Sequence, residues 1–282
     1  MILVTGASGA VSSALLKELR AGGREVRVAY HSQGRTDEAI NAAHEAVSEP
    51  ATLPRALQGV NSVFLLGAMG PEQTAHGRNV VDAAKTAGVE RVVKLSVWRA
   101  DEELTPIARL HRPVEVALES SGLAWTFLRP NFYMQNFVRQ MAGPIKATGA
   151  FAQPSSAAPI SFVDVHDVAR VAARALTSAG HDGQIYNITG PEGLTFEQAA
   201  ATLSRVLDTP VRFIQLSDEE ARADMLRRGL SEPYADALIQ VSQAYRDGGA
   251  ETVTPTVRDL TGSDPLTFEV RPRPPRRLRL SD

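Results

Sequence analysis

The sequence predicts an α/β protein, a doubly wound parallel sheet with a smaller C-terminal part. Short β-rich apolar runs alternate with amphipathic helical stretches through residues 1–130. The alternation recurs about every 30 residues, the size of a β-α-β unit. A glycine-rich turn, Thr5-Gly6-Ala7-Ser8-Gly9, stands between the first apolar run and the first helical stretch.

The first strand is read at Met1 to Val4, and the helix after it from Gly9 to about Arg20, where Val11, Leu15, Leu16 and Leu19 share one face and Gly22-Gly23 ends the pattern. Val26, Val28 and Tyr30 alternate in a second strand, Glu25 to Tyr30. A weak third strand near Ala46-Val47 leads through Pro50 into a helix carrying Leu53 and Leu57. Then come a strand at Ser62 to Leu66, a helix from Gln73 to Ala87, a strand at Arg91 to Ser96, a helix around Val114 to Ser120, and a strand at Ala124 to Leu128. Beyond residue 130 the pattern loosens. The Gly, Ala, Pro and Ser content of Ala142 to Pro159 reads as a crossover or lid. Helical patterns follow at Val165–Leu176, Phe196–Leu207, Asp218–Arg228 and Tyr234–Arg246, with short strands near Gln184–Ile188 and Val211–Leu216.

The glycine turn carries the first functional expectation. A diphosphate binds where backbone N–H groups converge on the positive end of a helix dipole. Gly6 permits the tight turn, Gly9 lets the backbone approach without a Cβ, and Ser12 replaces the third glycine of the usual fingerprint with another small residue. Directly after a strand and at the start of an amphipathic helix, the motif reads as a Rossmann-type dinucleotide site, with Gly6, Ala7, Ser8, Gly9, Ala10 and Val11 at the phosphates. The second strand ends in Tyr30-His31-Ser32-Gln33-Gly34-Arg35, with no carboxylate before Asp37. Since an acidic residue there suits a free ribose and a basic one a 2′-phosphate, Tyr30, His31, Ser32 and Arg35 favour NADP(H), with NAD(H) as the alternative.

Bulk properties remove several other classes. A net charge of −2 lacks the basic field that nucleic acid demands. No cysteine is present, which excludes disulfides, thiol catalysis and thiolate metal sites. Asp164, His166 and Asp167 look like a metal cluster as a string, but Asp164 ahead of Val165-His-Asp-Val reads as a helix start, so no metal is expected. No apolar run approaches the roughly 18 residues that span a bilayer, and no basic leader precedes the opening strand. A cytoplasmic protein, monomer or homodimer, is the expectation.

Several segments together resemble the NmrA-like, atypical short-chain dehydrogenases, which include bacterial NAD(P)H:quinone oxidoreductases. They are Val4-Thr-Gly-Ala-Ser-Gly9, Arg91-Val-Val-Lys-Leu-Ser96, His111-Arg-Pro-Val-Glu115, Ser121 to Pro130, Asn131-Phe-Tyr-Met-Gln-Asn136, Phe162 to Ala169 and Tyr186 to Pro191. The resemblance implies a core at 1–130 and a mixed part at 131–270 that adds the last strands and closes a substrate cleft; residues 271–282, with five arginines and three prolines, read by composition as a solvated, disordered basic tail. It also implies that the nicotinamide lies beside Leu66, Gly67, Ala68 and Ser96, that His111 sits near its ribose, and that Asn131 and Phe132 line the cofactor side. His111 and Ser96 become the candidate catalytic residues; Trp98, Tyr133, Met134 and Asn136 become the candidate substrate residues.

One departure narrows the chemistry. Ordinary members of the wider superfamily protonate a ketone with a Tyr-x-x-x-Lys pair, and none of the five tyrosines here has a lysine four residues later. A quinone needs no such donor, because its reduced oxygen is a stabilised phenolate. The expected substrate is therefore a quinone or similar electron-poor aromatic, and the resemblance extends to aromatic polyketides reduced ahead of a ring-hydroxylating monooxygenase. A non-catalytic sensor of the nicotinamide pool is the alternative.

Overall fold

The computed structural model describes residues 1–30, 45–46, 49–154 and 157–269. His31, Ser32, Arg35 and the basic tail lie outside these residues.

Among the described residues, seven strands form one parallel sheet: β1 (Ile2–Thr5), β2 (Val26–Tyr30), β3 (Glu45–Ala46), β4 (Ser62–Leu65), β5 (Arg91–Leu95), β6 (Ala124–Pro130) and β8 (Gln184–Ile188). β7 (Ala150–Gln153) and β9 (Arg212–Gln215) pair separately, also in parallel. The large sheet has the order β3-β2-β1-β4-β5-β6-β8. The order reverses direction between β1 and β4, and a doubly wound sheet of this kind opens its crevice at that switch point. β1, β4 and most of β5 are buried on both faces, which is why they read as unbroken apolar runs.

Helices α1 (Ala10–Ala21) and α6 (Val165–Thr177) cover one face. Val11, Leu15, Val168 and Val171 pack there on Val4, Val93 and Leu95 in one apolar cluster. Helices α2 (Leu53–Ala56), α3 (Gln73–Thr86) and α4 (Pro106–Glu119) cover the other, where Val81, Val114 and Leu118 meet Leu3, Val63, Val92 and Phe127. α3 and α4 approach closely because Gly77 has no Cβ; one built there would stand 2.7 Å from a Val114 methyl.

α4 begins eight residues before the helix that the pattern suggested. Thr105 caps it by accepting from the Ala108 amide at 3.0 Å, and Pro106 occupies a first-turn position where no N–H is needed. Pro113 lies inside the helix, and its usual meaning as a boundary hid the first two turns.

The segment Ala142 to Pro159 is not the plain crossover its composition suggested. It holds α5 (Ala142–Thr148) and β7, reached through a π-helical turn at Phe137–Met141. Phe151 on β7 supplies the missing anchor: it is 2% exposed and packs with Phe137, Phe196 and Phe213. These rings, with Phe132, Phe162 and Phe268, form a second aromatic core with Met134 and Met141. α7 (Phe196–Leu207), α8 (Asp218–Arg227) and α9 (Glu232–Arg246) build out from it, and α10 (Thr256–Thr261) returns to pack on α6. The short α10, Pro-flanked and only six residues long, carried no readable period.

Candidate active site

The glycine turn has the geometry expected of it. Gly6 sits at φ +62°, a left-handed conformation that suits glycine, and its carbonyl accepts from the Gly9 amide at 2.9 Å. α1 starts at Ala10 with no side-chain cap and no acidic residue in its first turn. Its leading amides therefore face outward without an internal anion, the arrangement a diphosphate requires. Ser12, in place of the third glycine, is buried and donates to the Thr5 carbonyl at 3.1 Å, so the substitution is absorbed into the strand end. Thr5 also couples the turn to β4. Its hydroxyl accepts from the Leu66 amide at 2.8 Å and lies within bonding distance of the Phe64 and Leu66 carbonyls. Leu66 closes under the turn: a Cβ on Gly6 would stand 3.1 Å from its Cγ.

These features fit a dinucleotide, with Gly6 to Val11 at the phosphates and Leu66, Gly67 and Ala68 along the β4 end. Ala7 and Val11 bury their side chains in the core, so their backbone amides are what they offer. Tyr30 ends β2 as expected. The residues read as selecting the 2′-phosphate, His31, Ser32 and Arg35, lie outside the described residues.

Beyond the C-terminal ends of β5 and β6 lies a cavity of about 1250 Å³. Val97, Trp98, Asn131, Phe132, Tyr133 and Asn136 line its floor, so the structure brings together three of the four expected substrate residues. The fourth, Met134, is corrected: its side chain is 8% exposed and packs into the phenylalanine core. The Met134 amide donates to the Val163 carbonyl as the chain turns into the next helical segment, and the side chain goes into the cluster of Phe137, Phe162 and Phe196. Asn131 lines the cavity but spends its amide elsewhere. Its Nδ2 donates to Ser161 Oγ and the Ala250 carbonyl, and its Oδ1 accepts from the Phe132 amide.

The opposite wall comes from α8 and α9, which the sequence reading did not assign to the site. Tyr245 on α9 stacks on Trp98 with ring centroids 4.9 Å apart, and Arg99 lies over the same indole. Burial pushes the Tyr133 and Tyr245 hydroxyls upward, Tyr245 adding to the effect on Tyr133, so both stay protonated donors at any ordinary pH. Neither hydroxyl has a hydrogen-bond partner among the described residues.

His111 and Ser96, the two catalytic candidates, do not line this cavity. Ser96 is 1% exposed, its amide donating to the Leu128 carbonyl at 2.7 Å. His111, 4% exposed, belongs to a buried polar layer between β5, β6 and α4. Lys94 Nζ reaches His111 Nδ1 at 2.9 Å and the Leu95 carbonyl at 3.2 Å, while the Gln73 amide lies 2.6 Å from His111 Nε2. One turn along α4, Glu115 accepts two bonds from Arg129, at 3.1 and 2.8 Å, and one from Arg112. Burial drives the Lys94 ammonium down to about 7, Glu115 opposing and Arg129 assisting. Burial, then the charge of Lys94, holds the His111 imidazole well below its ordinary value, and the imidazole is neutral. Lys94, Gln73, Glu115 and Arg129 were missed as site residues; the available signal was a lysine inside the apolar run Arg91-Val-Val-Lys-Leu, which a buried central strand rarely tolerates unpaired.

Asp164 is the cap of α6, its side chain accepting from the His166 amide, as the helix-start reading required.

The NmrA-like family model matches residues 1–261. This chain belongs to the NmrA-like family. Among similar members, the (4-alkanoyl-5-oxo-2,5-dihydrofuran-3-yl)methyl phosphate reductase of Streptomyces griseus is 38% identical over 277 residues, covering 95% of each chain. The NAD(P)H azoreductase of Xenophilus azovorans is 33% identical over 273 residues, again 95% of each. The crystal structure of the NADPH-dependent quinone oxidoreductase from Escherichia coli, complexed with NADPH, superposes with a TM-score of 0.86 at 26% identity, over 95% of this chain and 97% of that one. Rossmann architecture and family membership of this NmrA-like chain thus rest on nearly its full length.

Proposed function

We propose that this chain is a reductase that transfers hydride from NAD(P)H, with NADPH favoured, to a quinone or a comparably electron-poor aromatic. It is an NAD(P)H-dependent oxidoreductase, in keeping with relatives named as reductases of a furanone phosphate, of azo compounds and of quinones. The observation that carries the substrate reading is the cavity: some 1250 Å³, walled by Trp98, Phe132, Tyr133 and Tyr245. A flat conjugated ring suits such walls, and a cavity of this size admits a polycyclic one. The aromatic polyketide role, with reduction preceding ring hydroxylation, is the finer form of this proposal.

The bound cofactor supplies the hydride, and the protein supplies position and a water-poor setting. The α1 amides fix the diphosphate, which sets how far the ring extends along the strand ends. Trp98 and Phe132 hold the acceptor flat. Tyr133 and Tyr245 present O–H donors to the oxygen that gains charge, and such donors act most strongly where water is excluded. A phenolate product needs no proton from the protein during transfer, which accounts for a site without a Tyr-x-x-x-Lys pair. Residues 1–130 then serve the cofactor and 131–270 the substrate, in a cytoplasmic protein, monomer or homodimer.

The test mixes protein, NADPH or NADH, and a panel of naphthoquinones and larger quinones, and follows loss of reduced-cofactor absorbance. Quinone-dependent oxidation is expected, faster with NADPH. Tight NADPH binding with no oxidation across the panel would return the chain to the sensor reading. Gly9→Asp is expected to abolish cofactor binding, because it sets a carboxylate against the diphosphate and a Cβ 3.1 Å from the Gly6 carbonyl.

A further inference from the structure

Among the described residues, two side-chain polar atoms are fully buried without a hydrogen-bond partner: one amide atom of Gln73, at the Oε1 position, and Ser96 Oγ. Such orphans are rare in folded proteins, because each forfeits its hydration with nothing in return. Two of them at one level of one sheet call for a common partner.

Their location is set by the strands. Leu65 of β4 pairs with Lys94 of β5, and Gly67 and Ser96 each stand two residues farther along these neighbouring strands. The Gln73 side chain lies against Gly67 so closely that a Cβ there would come within 2.9 Å of its Cγ. Gly67 and Ser96 therefore stand about one strand spacing apart at neighbouring strand ends, with the Gln73 side chain against the first of them.

The protonation of Lys94 sets which way the Gln73 amide turns. When Lys94 carries its proton, Nζ donates to His111 Nδ1, so His111 carries its own proton on Nε2 and donates it to the Gln73 amide 2.6 Å away. The atom that accepts is the amide oxygen, and the amide NH2 then occupies the unpartnered position. These two strand ends thus offer one N–H donor, from Gln73, and one hydroxyl, from Ser96, able to donate or accept.

We propose that Gln73 and Ser96 together bind the carboxamide of the nicotinamide ring. A carboxamide is complementary to this pair: its oxygen accepts from the Gln73 NH2, and its own NH2 donates to the Ser96 hydroxyl. The inference rests on the reading that the chain holds NAD(P)H, and it explains why both groups are kept buried and polar. With the carboxamide pinned beside β4 and β5, the ring can present only one face toward the aromatic cavity beyond Val97. Gln73 and Ser96 become binding residues, and His111 a positioning residue that aims Gln73.

Equilibrium titration of the full-length protein at pH 6, where Lys94 holds its proton, with NADPH, with 2′,5′-ADP, which lacks the nicotinamide nucleoside, and with the 3-acetylpyridine analogue of NADP+ separates the possibilities. In Gln73→Leu and Ser96→Ala, NADPH affinity is expected to fall about tenfold each, the worth of one hydrogen bond in a desolvated site, with 2′,5′-ADP unchanged. His111→Leu gives the same selective loss. The acetylpyridine analogue, which keeps the oxygen but lacks the NH2, is expected to lose affinity in Gln73→Leu and little in Ser96→Ala. Should Gln73→Leu fail to fold, Gly67→Ala displaces the Gln73 side chain from outside the polar layer, and the same selective loss is expected. Equal weakening of NADPH and 2′,5′-ADP, or no weakening of either, would overturn the assignment. Wild-type protein that binds 2′,5′-ADP but gains nothing from the nicotinamide half also overturns it, whereas wild-type protein that binds neither ligand brings down the cofactor reading itself.

Discussion

On the face covered by α1 and α6, the large sheet stays aliphatic to its C-terminal edge: Val93 and Leu95 of β5 meet Val168 and Val171. On the face covered by α3 and α4 it changes character partway along. Val92 and Phe127 are apolar, but Lys94 and Arg129, two residues farther along β5 and β6, are charged and equally buried, opposite His111 and Glu115. Both faces hide the same depth of chain from water, yet only one does so with groups whose burial is costly. The costly groups sit toward the end of the sheet where a crevice opens, though none of them lines the cavity itself.

The largest break in this contrast comes from Glu115→Ala. Glu115 is fully buried and is the carboxylate on which Arg129 is bidentate and Arg112 leans. Removing it leaves the buried Lys94 and Arg129 facing one another, Arg129 keeping only Asp101 at 2.8 Å while Arg112 keeps Glu119, and a loss of about 3 kcal/mol in urea unfolding is expected. Glu115→Met with Arg129→Met removes both partners and is expected to recover most of that loss. A double variant as unstable as the single one would mean that the layer also holds the backbone in place.

The aliphatic face gives the control. Val168→Ala removes two carbons from a side chain with no exposure, so about 2 kcal/mol is expected from transfer and residual cavity. The decisive feature is that this loss should be the same at pH 6 and pH 9, because the cluster is apolar apart from the hydroxyls of Tyr133 and Tyr186, which burial holds protonated across that range. A pH-dependent loss would show that the two faces are coupled through the sheet.

The same contrast explains what could be read in advance. The seven strands, α1, α3, α6, α7 and α9 were legible because hydrophobic period is a local signal, and the β1 glycine turn because its function lies in backbone that glycine alone permits. Trp98, Tyr133 and Asn136, which line the cavity, were named through the family resemblance, whereas Asn131 and Phe132 were expected on the cofactor side and line the same cavity. The polar layer was not: Lys94, His111, Glu115 and Arg129 reach one another across three elements, and their burial depends on pairing that no spacing along the chain reveals. Tyr245 was hidden likewise, since its stacking on Trp98 is made only when α9 folds back. α5 and β7 were obscured by small residues around Phe151, and the first turns of α4 by Pro113.

Lys94→Met tests the costly face most finely. Its ammonium is brought from 10.5 in the open chain to about 7 in the fold, by burial first, with Glu115 opposing and Arg129 assisting. Between those values the unfolded chain holds a proton that the folded protein has released, so native stability rises with pH across that window and the cost of burying Lys94 is greatest below 7. A single proton sets the slope, at most about 1.4 kcal/mol per pH unit. His111 adds no slope of its own above pH 7, being neutral in both states there. Lys94→Met keeps the volume and discards the titration, so its stability relative to the parent should be highest near pH 7 and fall steadily toward pH 10, as the parent is relieved of its charge. Paired urea denaturations at pH 7, 8, 9 and 10 measure this. Parallel pH profiles for the two proteins would mean that Lys94 keeps its proton in the fold, with Glu115 outweighing burial.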